Sequence, residues 1–256
     1  RDPEMSRGLG DVYKRQTAIY QLIHNFTQVS SYNDLPRYFQ RTDVYPNSSR
    51  WWDMYSDIPL YAPSFKGLNR EHSFPKSWWG GSTGVPAYLD LNHLYPAEAA
   101  ANMAKSNYPL GEVSRTSETK FDNGVSAVGY PVTGQGGGCQ WVFEPADEYK
   151  GDFARTYFYM ATCYQNLTWK YTYMVSNTTY PTLTGWASRM LLKWHRDDPV
   201  SQKELDRNDM IYSIQNNRNP FIDRPELAEY LWGDKMGQEF KLNGTVEPIG
   251  DPNLIT

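Results

Sequence analysis

The chain has 256 residues, of which 39% are hydrophobic and 21% charged; this globular composition is long enough to bury a core and excludes a disordered protein. Its formal net charge of −4 excludes a chain-wide basic footprint, so any polyanion must be met by a local cationic groove, weakly and with strong salt dependence. No apolar run approaches the roughly 20 residues that span a bilayer. Two cysteines, Cys139 and Cys163, do not make a zinc site; they either pair in an oxidising compartment or remain two buried thiols. Aromatics reach 15%, and such rings are more often packing than stacking platforms.

Residues 1–16, RDPEMSRGLGDVYKRQ, read unlike the rest and are taken as a non-native leader; no signal peptide is visible in them. From 17 to 29, Ile19, Leu22, Ile23 and Phe26 recur at helical spacing. A second helix is expected at 32–41, capped by Ser31 or Asn33. Residues 45–66 read as loop, with a strand at 51–55. Two further strands are expected at 68–74 and 87–94, separated by a Trp- and Gly-rich loop at 78–84. Pro96-Ala97-Glu98 then opens a run of strong helix formers, AEAAANMAKSN. The stretch 111–138 is Gly- and Ser-rich with a β-like island at 127–132. Helical patterns return at 152–164, 184–197 and 201–216, with Pro199 just upstream of the last, and a short helix fits 225–232. Residues 244–256 read as an exposed tail or linker.

The chemistry concentrates in the middle of the chain, at Asn69-Arg70-Glu71-His72-Ser73-Phe74-Pro75-Lys76 and at Asp90-Leu91-Asn92-His93. Asn102 follows within the expected helix, with Lys105 and Asn107 one turn on. Adjacent Glu and His point to opposite faces of an ideal strand, but at a strand end they can serve one site from two directions. A lone His is more often a structural hydrogen-bonder, and only the clustering of polar residues supports a metal or acid–base role here. Arg155 reads as a structural ion-pair residue, with Phe153, Tyr157, Phe158 and Met160 as core beside it. Asp206, Arg207 and Asp209 read as a solvated helix face.

NREHSFPKSWWG, DLNHLYPAEAAANMAKSN, FEPADEYKGDFARTYFYMATCY and LLKWHRDDPVSQKELDRNDMIYSIQNNRNPFID resemble, in order, four blocks of the bacterial endonuclease I family of secreted nucleases. The resemblance runs from about residue 20 to 232 and implies one α+β domain over 17–243, mainly helical, with a small β component round a ββα-metal (His-Me finger-like) motif. It implies His72 as general base and Glu71 and Asn102 as ligands of Mg²⁺, for which Ca²⁺ or Mn²⁺ can substitute. It also implies hydrolysis of DNA and RNA without sequence specificity, leaving 5′-phosphate ends, by a monomer secreted or held in a bacterial periplasm. Where the family commonly has His, this chain has Asn92, followed by His93. Arg70, Lys76, Asn92, His93, Lys105, Asn107 and Arg218 are candidate substrate contacts; for Lys76 and Lys105 a solvated surface charge is the plainer reading.

The chemistry of these donors suits that division of labour. Mg²⁺ takes oxygen ligands and keeps several waters, and a neutral imidazole can accept a proton from water near pH 7. Two other readings compete. A carbohydrate-active or carbohydrate-binding protein would use exposed Trp51-Trp52 and Trp78-Trp79 pairs, and a degenerate relative would bind nucleic acid without cutting it. A metalloprotease is unsupported, since no His-Glu-x-x-His is present.

Overall fold

A computed structural model describes residues 3–240, with side chains from Val12 onward. Its centre is helix α4 (Asp147–Cys163), in which every residue from Gly151 to Cys163 is buried. A helix buried over so many consecutive residues must be covered on every side, and α4 is packed by α1 (Pro3–Ile23), α5 (Gly185–Asp197) and α7 (Pro220–Asp223). Gly151 permits the tightest approach: a Cβ there would lie 2.0 Å from the Asp198 carbonyl oxygen. The remaining helices are α2 (Leu35–Thr42), α3 (Ala99–Lys105), α6 (Gln202–Gln215) and α8 (Leu227–Trp232). The β component is small. Strands β1 (Leu68–His72) and β2 (Leu94–Glu98) form an antiparallel pair in which His72 lies opposite Leu94 and Leu68 opposite Glu98. Strands β3 (Thr119–Asp122), β4 (Ala127–Gly129) and β5 (Val142–Glu144) form a separate antiparallel sheet. The architecture is mixed α+β, as expected.

Local chemistry accounts for most element ends. Ser201 and Glu204 form a reciprocal capping box that starts α6, and Asn216 ends it in the left-handed conformation at φ 60°. Helix α2 starts later than expected, after Asp34 rather than Ser31 or Asn33, with Pro36 fixing its first turn. Helix α1 begins within the segment set aside as a leader; Val12 and Gln16 are buried, and Gln16 donates to Ala161 O at 3.2 Å. The tail assigned to 244–256 lies outside the described residues.

Three expectations change. The second strand is not at 87–94 but at β2: Pro86–Leu89 is a 3₁₀ turn, and Asp90 then accepts the Asn92 N–H at 2.9 Å, which bends the chain before pairing begins. The helix correspondingly opens at Ala99, with the Glu98 carboxylate accepting from the Ala100 and Ala101 amides. Residues 51–55 form no strand; Trp51 only bridges Val44. The tryptophans invoked for sugar binding are mostly core: Trp51, Trp78 and Trp79 are 2%, 0% and 6% exposed. Cys163 is buried, Cys139 is partly exposed, and the two are not bonded.

Two arginines do structural work. Arg155 is fully buried and grips Glu204 with Nε (2.5 Å) and Nη2 (2.8 Å), as expected of a structural ion pair. Arg207, expected on a solvated face, is instead buried. Its Nε donates to Asp43 at 2.8 Å and its Nη2 to the carbonyls of Leu91 (2.9 Å) and Leu94 (2.7 Å). A guanidinium has five N–H donors in a rigid fork, so one side chain ties α6 to the end of α2 and to the start of β2. Removing it strands Asp43, 1% exposed, in the interior. Arg207→Ala is expected to lower unfolding free energy by about 3–5 kcal/mol, read from urea denaturation; a loss under about 1 kcal/mol would match a surface pair instead.

Candidate active site

Strand β1 carries Arg70, Glu71 and His72, and β2 runs directly into α3, which carries Asn102 and Lys105. Alternation along β1 turns Glu71 and His72 to opposite sides. His72 faces the 3₁₀ turn at Pro86–Leu89, and its Nε2 lies 3.0 Å from the Tyr88 carbonyl oxygen. A carbonyl only accepts, so Nε2 carries the proton and Nδ1 presents a lone pair. Nδ1 is not among the buried nitrogens lacking a partner, which leaves it open to solvent. The imidazole lies beside a stacked pair, Tyr32 and Tyr88, whose centroids are 5.1 Å apart; it is 5.9 Å from Tyr32 and 5.5 Å from Tyr88, with Trp79 edge-on at 5.8 Å. This burial, and then the nearby His93, Lys76 and Lys105, push its pKa down to about 3. His72 is therefore neutral at pH 7.

Glu71 Oε1 is held twice, by Lys105 Nζ at 2.9 Å and by the Tyr55 hydroxyl at 3.1 Å. Burial pushes the Glu71 carboxyl above the usual range, while Lys105 and Tyr55 pull it down. Its other oxygen takes no hydrogen bond and is not among the enclosed orphans, so water reaches it. Asn102 sits one turn before Lys105 on the same stripe of α3, and its partly exposed amide is likewise free of hydrogen bonds. Among the described residues no group of three or more His, Cys, Asp or Glu is placed to hold a metal. A carboxylate and an amide oxygen are nevertheless donors of the kind Mg²⁺ takes, since it prefers oxygen and retains most of its waters.

The other candidates divide sharply. Arg70 lies over the Tyr32 ring at 5.3 Å, and Lys76 lies over Tyr88 at 5.5 Å without an ion pair, so both flank the His72 ring stack as available cations. Lys105 is not a surface charge: it is fully buried, and besides Glu71 it donates to Ser73 O at 3.1 Å. Asn92 is buried as well and donates to Asp90 at 3.1 Å and Asn217 at 3.3 Å. His93 is enclosed, with Nε2 at 2.6 Å from Ala87 O and its ring 5.4 Å from that of His72; burial drives its pKa to about 4. Asn107 is partly buried and donates to Ser77 at 3.4 Å. Arg218 is saturated by Asp209 and Asp223, which leaves it little to offer a phosphate.

A family model, endonuclease I, matches residues 12–226. The chain belongs to the endonuclease I family. It is 33% identical to an extracellular ribonuclease of Bacillus amyloliquefaciens, over 85% of this chain and 73% of that protein. Against an extracellular ribonuclease of Bacillus subtilis (strain 168) it is 36% identical, over 64% of this chain and 54% of the relative. An extracellular deoxyribonuclease of Aeromonas hydrophila is 24% identical over 53% of this chain and 49% of its own length.

Within this endonuclease I chain, sequence reasoning missed three contributors to the site. Tyr88 acts through its main-chain carbonyl, which leaves no residue-type signal. Tyr55 lies in a segment without periodicity. Asp90 was visible in the Asp-Leu-Asn-His block, but its role was not. Fully buried, it accepts the hydroxyls of Tyr159 (2.7 Å) and Tyr164 (2.8 Å) and the Gln215 amide (2.8 Å), so it anchors the turn that carries His93 into β2.

The His72 geometry has a pH consequence. In the unfolded chain this imidazole takes up a proton near pH 6.5, whereas in the fold it does so only near 3. Its contribution to stability is thus complete above pH 6.5 and is lost as the pH falls from 6.5 towards 3. Long-range ¹H–¹⁵N spectra of the native protein are expected to show His72 as the neutral Nε2–H tautomer from pH 8 down to 5. An Nδ1–H tautomer, or a titration midpoint near 6.5, would refute the assignment.

Proposed function

We propose that this endonuclease I family member is a Mg²⁺-dependent, non-specific endonuclease that hydrolyses phosphodiester bonds of DNA and RNA to 5′-phosphate and 3′-hydroxyl ends. The observation that carries this reading is the His72 tautomer: proton on Nε2, lone pair on an open Nδ1, on the strand that also carries Glu71. His72 Nδ1 accepts the proton of the attacking water, and the Tyr88 carbonyl holds the ring and steadies the imidazolium that forms. A pKa near 3 makes the free enzyme a weak base. A bound phosphodiester places negative charge beside the ring and raises its proton affinity, so the base gains strength with substrate in place.

Glu71 and Asn102 are the residues that would hold the cation in a ββα-metal arrangement of β1, β2 and α3. A Mg²⁺ ion held by these two residues would supply charge neutralisation at the scissile phosphate and the departing 3′ oxygen. Lys105, committed to Glu71 Oε1, fixes the carboxylate and leaves its second oxygen without a hydrogen-bond partner. Arg70 and Lys76 flank the ring stack and contact backbone phosphate. Such contacts read charge and shape rather than base identity, which supports cutting without sequence preference. The names of the Bacillus and Aeromonas relatives support RNA and DNA as substrates and an extracellular setting, and the protein acts as a monomer.

Plasmid DNA and ribosomal RNA, each incubated with Mg²⁺ or EDTA, test this reading. The wild-type protein is expected to degrade both with metal and neither with EDTA. His72→Ala is expected to lose at least about 100-fold in rate, the lower end of what a general base contributes, with an unchanged circular dichroism spectrum. Undiminished cutting in EDTA would remove the metal from the account, and full activity in His72→Ala would remove the base.

A further inference from the structure

Positive charge is distributed unevenly over this chain. Most lysines and arginines from Lys105 to Arg224 pair with carboxylates, Arg155, Lys203, Arg207 and Arg218 among them. Arg37, Arg41, Arg50, Lys66, Arg70 and Lys76 are among the described cations that stand in no ion pair, as are Lys120, Lys170 and Arg189 elsewhere. Arg70 and Lys76 belong to the ring stack round His72. Arg37 and Arg41 lie one helical turn apart on the exposed side of α2, separated by about 6 Å of rise. They line an open concavity of about 310 Å³ with Ser30, Asp34 and Tyr38.

This concavity adjoins the ring stack. Tyr32, in the loop between Ser30 and Asp34, is the ring that stacks on His72, and its hydroxyl donates to Arg70 O at 3.0 Å. Arg70 reaches back to the Asn33 carbonyl at 3.5 Å. The one acid in the concavity is Asp34, whose Oδ2 accepts from Ser30 (2.8 Å) and Ser31 (2.9 Å); these bonds, with Arg37 nearby, hold its carboxyl below the usual range, so the concavity carries two cations against one anion. Arg41 gives a single hydrogen bond, to Ser213 at 3.3 Å. Both guanidinium groups therefore retain donors suited to phosphate oxygens, and Tyr38 offers a ring beside them.

Building on the nuclease reading, we propose that Arg37 and Arg41 form a second phosphate subsite, which holds the nucleic-acid backbone beyond the segment at His72. The enzyme then grips several nucleotides of a strand while reacting at one bond. His72 does not line this concavity, so loss of the two arginines is expected to lower affinity rather than change the chemistry. This also bears on substrate binding by a chain of net charge −4, because cations without an ion-pair partner lie beside the His72 rings, at Arg70 and Lys76, and in the neighbouring concavity.

Binding of a fluorescein-labelled single-stranded oligonucleotide in EDTA, across a salt series, tests the subsite without relying on cleavage. For Arg37→Glu/Arg41→Glu the slope of log affinity against log salt is expected to be shallower by roughly 0.7 for each lost single-strand phosphate contact. Arg37→Lys/Arg41→Lys is expected to keep the wild-type slope. With Mg²⁺, the Glu variant should show a several-fold higher KM on the long oligonucleotide, an unchanged kcat, and unchanged cleavage of a dinucleotide diester. A wild-type slope in the Glu variant would overturn the subsite. If the wild-type protein bound but cut neither substrate, the slopes would still decide the subsite, and the catalytic reading would be the one to fall.

Discussion

The buried pair of Glu71 and Lys105 sets the geometry on which the rest of the site depends. The ammonium lies 2.9 Å from Glu71 Oε1 and 3.1 Å from Ser73 O, so one side chain of α3 fixes the residues on both sides of His72. Tyr157, on the central helix, donates to the same Ser73 carbonyl at 2.6 Å. The end of β1 is thereby tied both to the helix that follows β2 and to the core. Charges this deeply enclosed are tolerated only when paired and hydrogen-bonded. Because both restraints on Glu71 act on a single oxygen, the other is left for chemistry. The imidazole next to it points the opposite way, into a stack of rings that keeps it neutral.

Much of this was legible in the sequence, and the reasons are physical. Helices α4, α5 and α6 follow from apolar periodicity and cap residues that act locally, such as Ser201, Glu204 and Asn216. The order of strand, loop, strand and helix round Glu71 and His72 was readable too. What local pattern could not place was the start of β2, because the turn before it is set by partners distant in sequence: Gln215, Asn217 and Arg207. Lys105 and Arg207 resembled surface cations for the same reason. A buried cation is distinguished only by the carboxylate it meets, and Glu71 and Asp43 lie far away along the chain. The Trp pairs misled in the same sense, since adjacent rings do not announce whether a core has formed over them.

A negatively charged chain can act on a polyanion if its cations are sorted by task. In this fold one group, including Lys105, Arg155, Arg207 and Arg218, is held by carboxylates and serves the architecture. Others stay free of such partners: Arg70 and Lys76 beside the ring stack, and Arg37 and Arg41 in the neighbouring concavity. On the proposed reading, affinity rests on a few backbone contacts and remains sensitive to salt, and reactivity rests on a histidine that becomes an effective base only beside bound phosphate.

That role of His72 is most directly tested by chemical rescue. His72→Gly removes the ring and leaves a space beside Tyr32, Tyr88 and Trp79, and the account predicts that added imidazole restores Mg²⁺-dependent cleavage in proportion to its neutral form. A folded His72→Gly protein that binds oligonucleotide yet stays at background over the full range of imidazole would contradict the assignment of His72 as the proton acceptor.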